Sequence, residues 1–347
     1  SVRRSEPEFY FKKALSWSAT TMGGSSFRIT NNKTSSTAAP SLYFKNDDDL
    51  YVSLALLNSC ISQVYMDLLN PTVGLKLANV EAVPAIKFEK MAVLLRSLCE
   101  NNIALSKEDW DSYEISWDFE QHPLVKRKEL HSLEKCYLEW KTECENRFLK
   151  MKDNEEHINA VILKEYGLEN EVACEVSEKS ISVHRIFDTK EDIPVSMDGS
   201  YYVRTKRDEI VSLISYSVGC MFGRYSLDKN GIVNAGDSLN ANEYVSFSVD
   251  KDNIIPICDD EYFKDDIVGR FVEFIKIVYG VDSLDDNLKF IANALGGKGS
   301  PREIIRNYFV NDFYKEHCVT YSGTVGKRPI YWLFDAGKNN SFKALIY

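Results

Sequence analysis

The chain has 347 residues, enough for two or three domains, and its 44% hydrophobic content can fill a sizeable core. That composition excludes a disordered, collagenous or fibrous chain, and a net charge of −10 argues against a surface that coats nucleic acid throughout. The acid is unevenly spread. Residues 1–45 hold seven basic residues (Arg3, Arg4, Lys12, Lys13, Arg28, Lys33, Lys45) against two acidic ones, a local +5, whereas residues 96–240 hold 19 basic and 28 acidic residues. The first segment is therefore basic, and the excess acid belongs to the rest.

Short β-prone runs come first, at Phe9–Phe11, Ala14–Trp17, Phe27–Thr30 and Leu42–Phe44, separated by Ser/Thr/Asn/Gly-rich stretches. Asp47–Asp49 open a single helix in which Leu54, Leu57, Ile61, Val64 and Leu68 recur at helical spacing, and Asn70-Pro71 closes it. An extended piece at Val83–Ile86 and a helix to about Leu98 follow. Beyond the aromatic, acidic stretch 106–122, a helical tract runs from about Pro123 to Tyr166. Its apolar stripe is Leu130, Leu133, Tyr137, Trp140, Cys144, Phe148 and Met151, with Gly167 as C-cap. Further helices are predicted over 207–225, where Gly219 and Gly223 admit a close neighbour, over 264–279 and 283–295, and from Pro301 on. Arg328–Phe334 and Phe342–Tyr347, joined through Gly337–Asn340, read as a β-hairpin. The fold class is α+β: a mixed small-sheet domain over 1–105, a helical spacer over 106–200, and a mainly helical domain over 201–347 ending in the hairpin.

No pair among the eight cysteines has C-x-x-C spacing, and several lie in apolar runs, so they read as reduced, buried thiols of a cytoplasmic protein. Neither they nor the five dispersed histidines suggest a metal site. No signal peptide is expected, as no apolar run follows Arg3-Arg4, and the longest apolar stretch, Ile210–Phe222, is too short to span a bilayer, so no membrane partner is expected. The chain opens without an initiator Met and stops directly after a strand-like run, and it reads as a piece of a longer polypeptide.

Three patterns invite chemistry and have simpler readings. Gly296–Gly299 suggests a phosphate loop, but a helix precedes it, and Ser300, Pro301 and Glu303 supply an N-cap, an N1 proline and a capping-box acid. Asp259–Glu261 with Asp265-Asp266 suggests a hard cation or a nuclease cluster, but acids ahead of a helix are N-terminal caps. Glu139-Trp140-Lys141 has nuclease-like spacing but lies within a predicted helix. The basic start is richer. It holds the residue types that read base edges and grip phosphates, with Trp17 placed to stack or to pack, although taken alone its default reading is a solvated β-edge.

Several phrases carry a resemblance. Asn58-Ser59 within Ala55–Ser59, then Leu69–Thr72 and Val80–Pro84, resemble the TaqI-like specificity domain of adenine-specific DNA methyltransferases and type IIG restriction–modification enzymes. Phe11–Ser18, Trp110–Pro123, Ser217–Asp228, Asp266–Phe271, Leu295–Gly299 and Arg328–Asp335 resemble the PglX-like methyltransferases of the BREX phage-defence system, over nearly the whole chain. The resemblance implies the carboxyl-terminal, target-recognition half of an enzyme that moves a methyl group from S-adenosylmethionine to the amino group of adenine. Its catalytic Asn/Asp-Pro-Pro-aromatic tetrapeptide and Gly-rich cofactor loop are absent from this sequence, so no catalytic or cofactor-binding residue is carried over and the fragment alone is expected to be inactive. What carries over is recognition of double-stranded DNA, beside the polypeptide's own N-terminal methyltransferase domain and other phage-defence proteins. The DNA-binding candidates are Lys12, Lys13, Trp17, Ser18, Thr20, Ser25, Arg28, Asn31, Asn32 and Lys33, with Arg204, Lys206 and Arg207 as a second basic cluster able to hold phosphate. An interaction scaffold without DNA affinity is the competing function, and an autonomous nuclease a third.

Overall fold

Strands β1 (Ala14–Trp17), β2 (Phe27–Thr30) and β3 (Ser41–Leu42) form an antiparallel sheet in the order β2-β1-β3. Leu15 pairs with Ile29 and Leu42, and Trp17 with Phe27, on the apolar face. Ser16 pairs with Arg28 and Ser41 on the polar one. The computed structural model describes residues 7–21, 24–70, 72–86, 88, 90–235, 240–322, 329–337 and 342–347. Strands Ala14–Trp17 and Phe27–Thr30 match their predicted bounds; Phe9–Phe11 does not form a strand. Pro7–Phe9 is a 3-10 turn, and Phe11 has the left-handed φ of 62°.

Helix α1 (Asp47–Asn58) is capped by Asn46, whose side chain accepts from Asp49 N at 2.8 Å. The single helix expected here breaks at Ser59, and α2 (Cys60–Leu69) departs at 70°. The break is satisfied locally: the Ser59 and Ser62 hydroxyls donate to Leu56 O (2.6 and 2.5 Å), and Cys60 N donates to Asn159 Oδ1 at 3.0 Å. It also turns Val64 and Leu68 out of the core, to 45% and 74% exposure. Helices α3 (Leu77–Glu81) and α4 (Ala92–Asp111) follow, then α5 (Pro123–Lys126) and the 34-residue α6 (Leu133–Tyr166). Gly167, at φ 68°, ends α6, with Leu168 N closing on Leu163 O at 2.9 Å. Among the described residues no single helix is long and apolar enough to cross a membrane.

Two compact units result: residues up to Ser106 with Arg147–Ile181, and Lys107–Asn146 with Ser182–Tyr347. The stretch expected as a separate spacer is shared between them, because the apolar stripe of α6 serves two cores. Leu133, Tyr137, Trp140 and Cys144 lie in the core of the second unit, and Ile158, Val161, Ile162 and Leu163 in that of the first.

The second unit continues with β4 (Arg185–Phe187), parallel to β5 (Val203–Thr205), and α7 (Lys206–Met221). Gly219 is where Tyr225 comes closest: an added Cβ would lie 2.5 Å from its ring. Gly223 instead takes the left-handed turn after the helix, at φ 76°. β6 (Ile254–Ile257), α8 (Ile267–Tyr279), α9 (Leu284–Leu295), α10 (Pro301–Tyr308) and α11 (Tyr314–Ser322) lead to β7 (Trp332–Asp335) and β8 (Lys343–Ile346). The last two form the expected hairpin, whose turn residues 338–341 lie outside the described residues, as does Arg328. The hairpin acquires an edge strand in β6, where Pro256 is tolerated. Ser300 and Glu303 close the capping box of α10, so Gly296–Gly299 is helix punctuation. Asp266 caps α8, and all eight cysteines are free.

Glu114 is enclosed in this unit between Tyr321 (2.5 Å) and Ser215 (3.4 Å), and burial pushes its carboxyl up to about 7. A pKa raised on folding gives stability that is complete below the ordinary value of 4.5 and is lost as pH rises through 7. Glu114→Gln is therefore expected to stabilise by roughly 1–3 kcal/mol more at pH 8 than at pH 4.5, read by urea unfolding at the two pH values.

Candidate nucleic-acid interface

The basic sheet is positioned by the phrases that carry the resemblance. Asn58 reaches from the end of α1 to the outer edge of β2: its Oδ1 accepts from Phe27 N at 2.9 Å and its Nδ2 donates to Phe27 O at 3.0 Å. This side-chain amide pairs an otherwise open strand edge as another strand would. Gln63 Oε1 accepts from Ser25 N at 3.2 Å, fixing the approach to β2. On the other side, Asn70 and Thr72 close an Asx turn (Thr72 Oγ1 to Asn70 Oδ1, 2.8 Å). That turn carries Val73–Leu75 back along the chain after β1, with Thr21 N on Val73 O at 3.0 Å and Leu75 N on Ala19 O at 2.8 Å. Asn58→Ala removes both bonds to Phe27 and is expected to cost about 1–3 kcal/mol in urea unfolding.

The candidates do not stand alike on this scaffold. Trp17 is 3% exposed, donates to Leu75 O at 3.1 Å and packs on Phe27 at 5.5 Å between ring centres. Of the two roles open to it, packing is the one it fills. Lys13 pairs with Asp47 at 2.8 Å and lies 4.7 Å over the Tyr51 ring. Its hydrogen bond holds the Asp47 carboxyl below the usual range. Ser25 is half-buried. Lys12, Ser18, Thr20, Arg28, Asn31, Asn32 and Lys33 are exposed. Phe11 N donates to Lys33 O at 3.2 Å, which sets Lys12 beside Lys33 at one end of the sheet, while Ser18 and Thr20 follow the other end of β1. Among the described residues, Lys12, Arg28 and Lys33 have no carboxylate within ion-pair distance. They are cations offered outward.

Arg204, Lys206 and Arg207, the second basic cluster, each carry an ion pair within the chain. Arg204 pairs with the buried Glu209 at 2.5 Å and lies 4.4 Å over the Tyr113 ring. Lys206 pairs with Asp188 at 3.2 Å, and Arg207 with Glu316 at 2.7 Å. Hydrogen bonds from Lys141, Tyr137 and Lys206 hold the Asp188 carboxyl down at about 2. Arg204 is held by a buried acid, and Lys206 and Arg207 by half-exposed ones. Glu209 is only five positions from Arg204, whereas Glu316, 109 positions from Arg207, is brought to it only by folding. Among the described residues no three His, Cys, Asp or Glu side chains gather in a group able to hold a metal ion.

No protein-family model matches the chain. It is 38% identical over 349 residues to the adenine-specific methyltransferase PglX of Lacticaseibacillus casei (strain Zhang), a match that covers 98% of this chain and 27% of that protein. The chain is related to the PglX methyltransferases. The adenine-specific methyltransferase BrxX of Escherichia coli O9:H4 (strain HS) is 32% identical over 357 residues, which cover 98% of this chain and 28% of BrxX. The chain thus spans about a quarter of the length of the curated relatives it matches, and PglX and BrxX are alike in extending well beyond it.

Proposed function

We propose that this chain is the DNA target-recognition and carboxyl-terminal region of an adenine-specific DNA methyltransferase that uses S-adenosylmethionine in phage defence or restriction–modification. The observation that carries this reading is the match to adenine-specific methyltransferases over 98% of the chain, in a sequence that lacks their catalytic tetrapeptide. The N-terminal methyltransferase domain of the same polypeptide holds the cofactor and the flipped adenine, and this region selects where on the duplex it acts. Arg28, Lys33 and Lys12 grip phosphates. Ser18, Thr20, Asn31 and Asn32 supply donors and acceptors to base edges.

Support comes from the division of labour on the sheet: its apolar face is buried, and its polar face and flanking turns carry cations that have no carboxylate partner among the described residues. Fluorescence anisotropy of a labelled duplex tests it. Binding that weakens steeply with salt is expected, and a chain that binds no duplex at low salt acts instead as a scaffold.

A further inference from the structure

Residues 107–122 hold one lysine against six carboxylates, and in the second unit they wall an open cleft of about 920 Å³. Their loop is firmly held. Lys107 bridges Asp111 and Asp118, both at 2.5 Å; Ser116 Oγ donates to Asp111 at 2.6 Å and accepts from Asp118 N at 3.1 Å. Tyr113 and Phe119 are buried on either side. Between these anchors Trp117 is 95% exposed, with Trp110 and Ile115 exposed nearby in the sequence at 51% and 46%. A large indole held in water by its own scaffold forgoes the stabilisation that burial would bring, and a loop fixed on either side of it presents the ring at a set place.

The cleft itself displays the chemistry such an indole accepts. Trp140 lies at its floor with the Arg127 guanidinium 5.2 Å over its ring, and Arg127 is ion-paired to Glu143. Trp117, sharing the cleft with Glu120, offers the same pair of groups, an indole face and a carboxylate, to a cation from outside. Five acidic and three basic side chains line the cleft; Lys107 is paired there with Asp111 and Asp118, and Arg127 with Glu143, so the lining keeps an excess of two acids. This balance disfavours a phosphate backbone and complements a cationic segment.

We propose that the cleft docks an arginine-bearing segment of a protein partner, with one guanidinium on Trp117 and the acidic rim neutralising it. A planar guanidinium stacks on an indole and pairs with a carboxylate at once, which a lysine ammonium does less well. The site lies outside the basic sheet and does not depend on DNA recognition there.

The test uses the 347-residue chain and a fluorescein-labelled dodecapeptide carrying two arginines in an Ala/Ser background, with lysine and citrulline counterparts. Saturable binding of the arginine peptide is expected, about threefold tighter than lysine and at least tenfold tighter than citrulline. Trp117→Ala should weaken it about tenfold with an unchanged urea midpoint, and Trp117→Phe should recover part of the loss. Absence of binding, equal binding by the wild type and Trp117→Ala, or failure of Trp117→Phe to recover any of the loss would overturn the proposal. Equal binding would mark a general attraction to acidic surface.

Discussion

Asp266→Ala is expected to lower the unfolding free energy by about 3–5 kcal/mol, which for a unit of this size is a fall of about 10 °C in Tm. Asp266 is fully buried and holds three elements together. Its Oδ1 accepts from Val268 N and Gly269 N (3.0 and 3.3 Å), capping α8. Both carboxylate oxygens take the Arg306 guanidinium of α10 at 2.8 and 2.9 Å, and Arg306 also donates to Cys258 O at 2.9 Å, just past β6. Truncation leaves a guanidinium without its counter-charge and a helix without its cap. The double variant Asp266→Leu/Arg306→Leu should be less damaging than Asp266→Ala, because removing both charges together leaves neither stranded. Urea unfolding of the three proteins provides the comparison.

Reversing Arg28 and Lys33 together to glutamate is expected to weaken duplex binding about 100-fold at 50 mM salt, and to reduce the slope of log Kd against log salt by about 2. Neither cation has a carboxylate partner among the described residues, so the fold should change by less than about 0.5 kcal/mol. The comparison residues are Lys206 and Arg207. If committed to Asp188 and Glu316, their alanine variants leave the salt slope unchanged. Anisotropy titrations from 50 to 200 mM salt separate the two groups. A slope that falls equally for both would make binding a matter of overall charge rather than of this sheet.

Much of the local structure was legible because local chemistry decides it. Runs of β-prone residues between Ser/Thr/Asn/Gly-rich stretches marked Ala14–Trp17 and Phe27–Thr30, the capping box marked Ser300, and the heavy stripe of α6 marked a long buried face. The break at Ser59 was not legible, because the apolar spacing runs on through it. What stabilises the break includes Asn159, 99 positions from Cys60. Likewise Ile254–Ile257 becomes a strand only by pairing with Lys343–Ile346, close to the other end of the chain. The candidate site divides the same way. Exposure of Arg28 and Lys33 follows from strand alternation and turn chemistry. The pairing of Arg207 with Glu316 depends on an acid brought in by another element, and the sequence alone does not show the two as neighbours.

Exchange of residues 7–75 between the full-length protein and Lacticaseibacillus casei PglX, followed by sequencing of N6-methyladenine in host DNA, tests target recognition most directly. The segment includes the sheet with Asn58, Gln63 and the 70–75 turn that hold it. The methylated motif is expected to follow the exchanged segment. A motif that stays with the remainder of each enzyme, in chimaeras that methylate at normal levels, would contradict the assignment of recognition to this sheet.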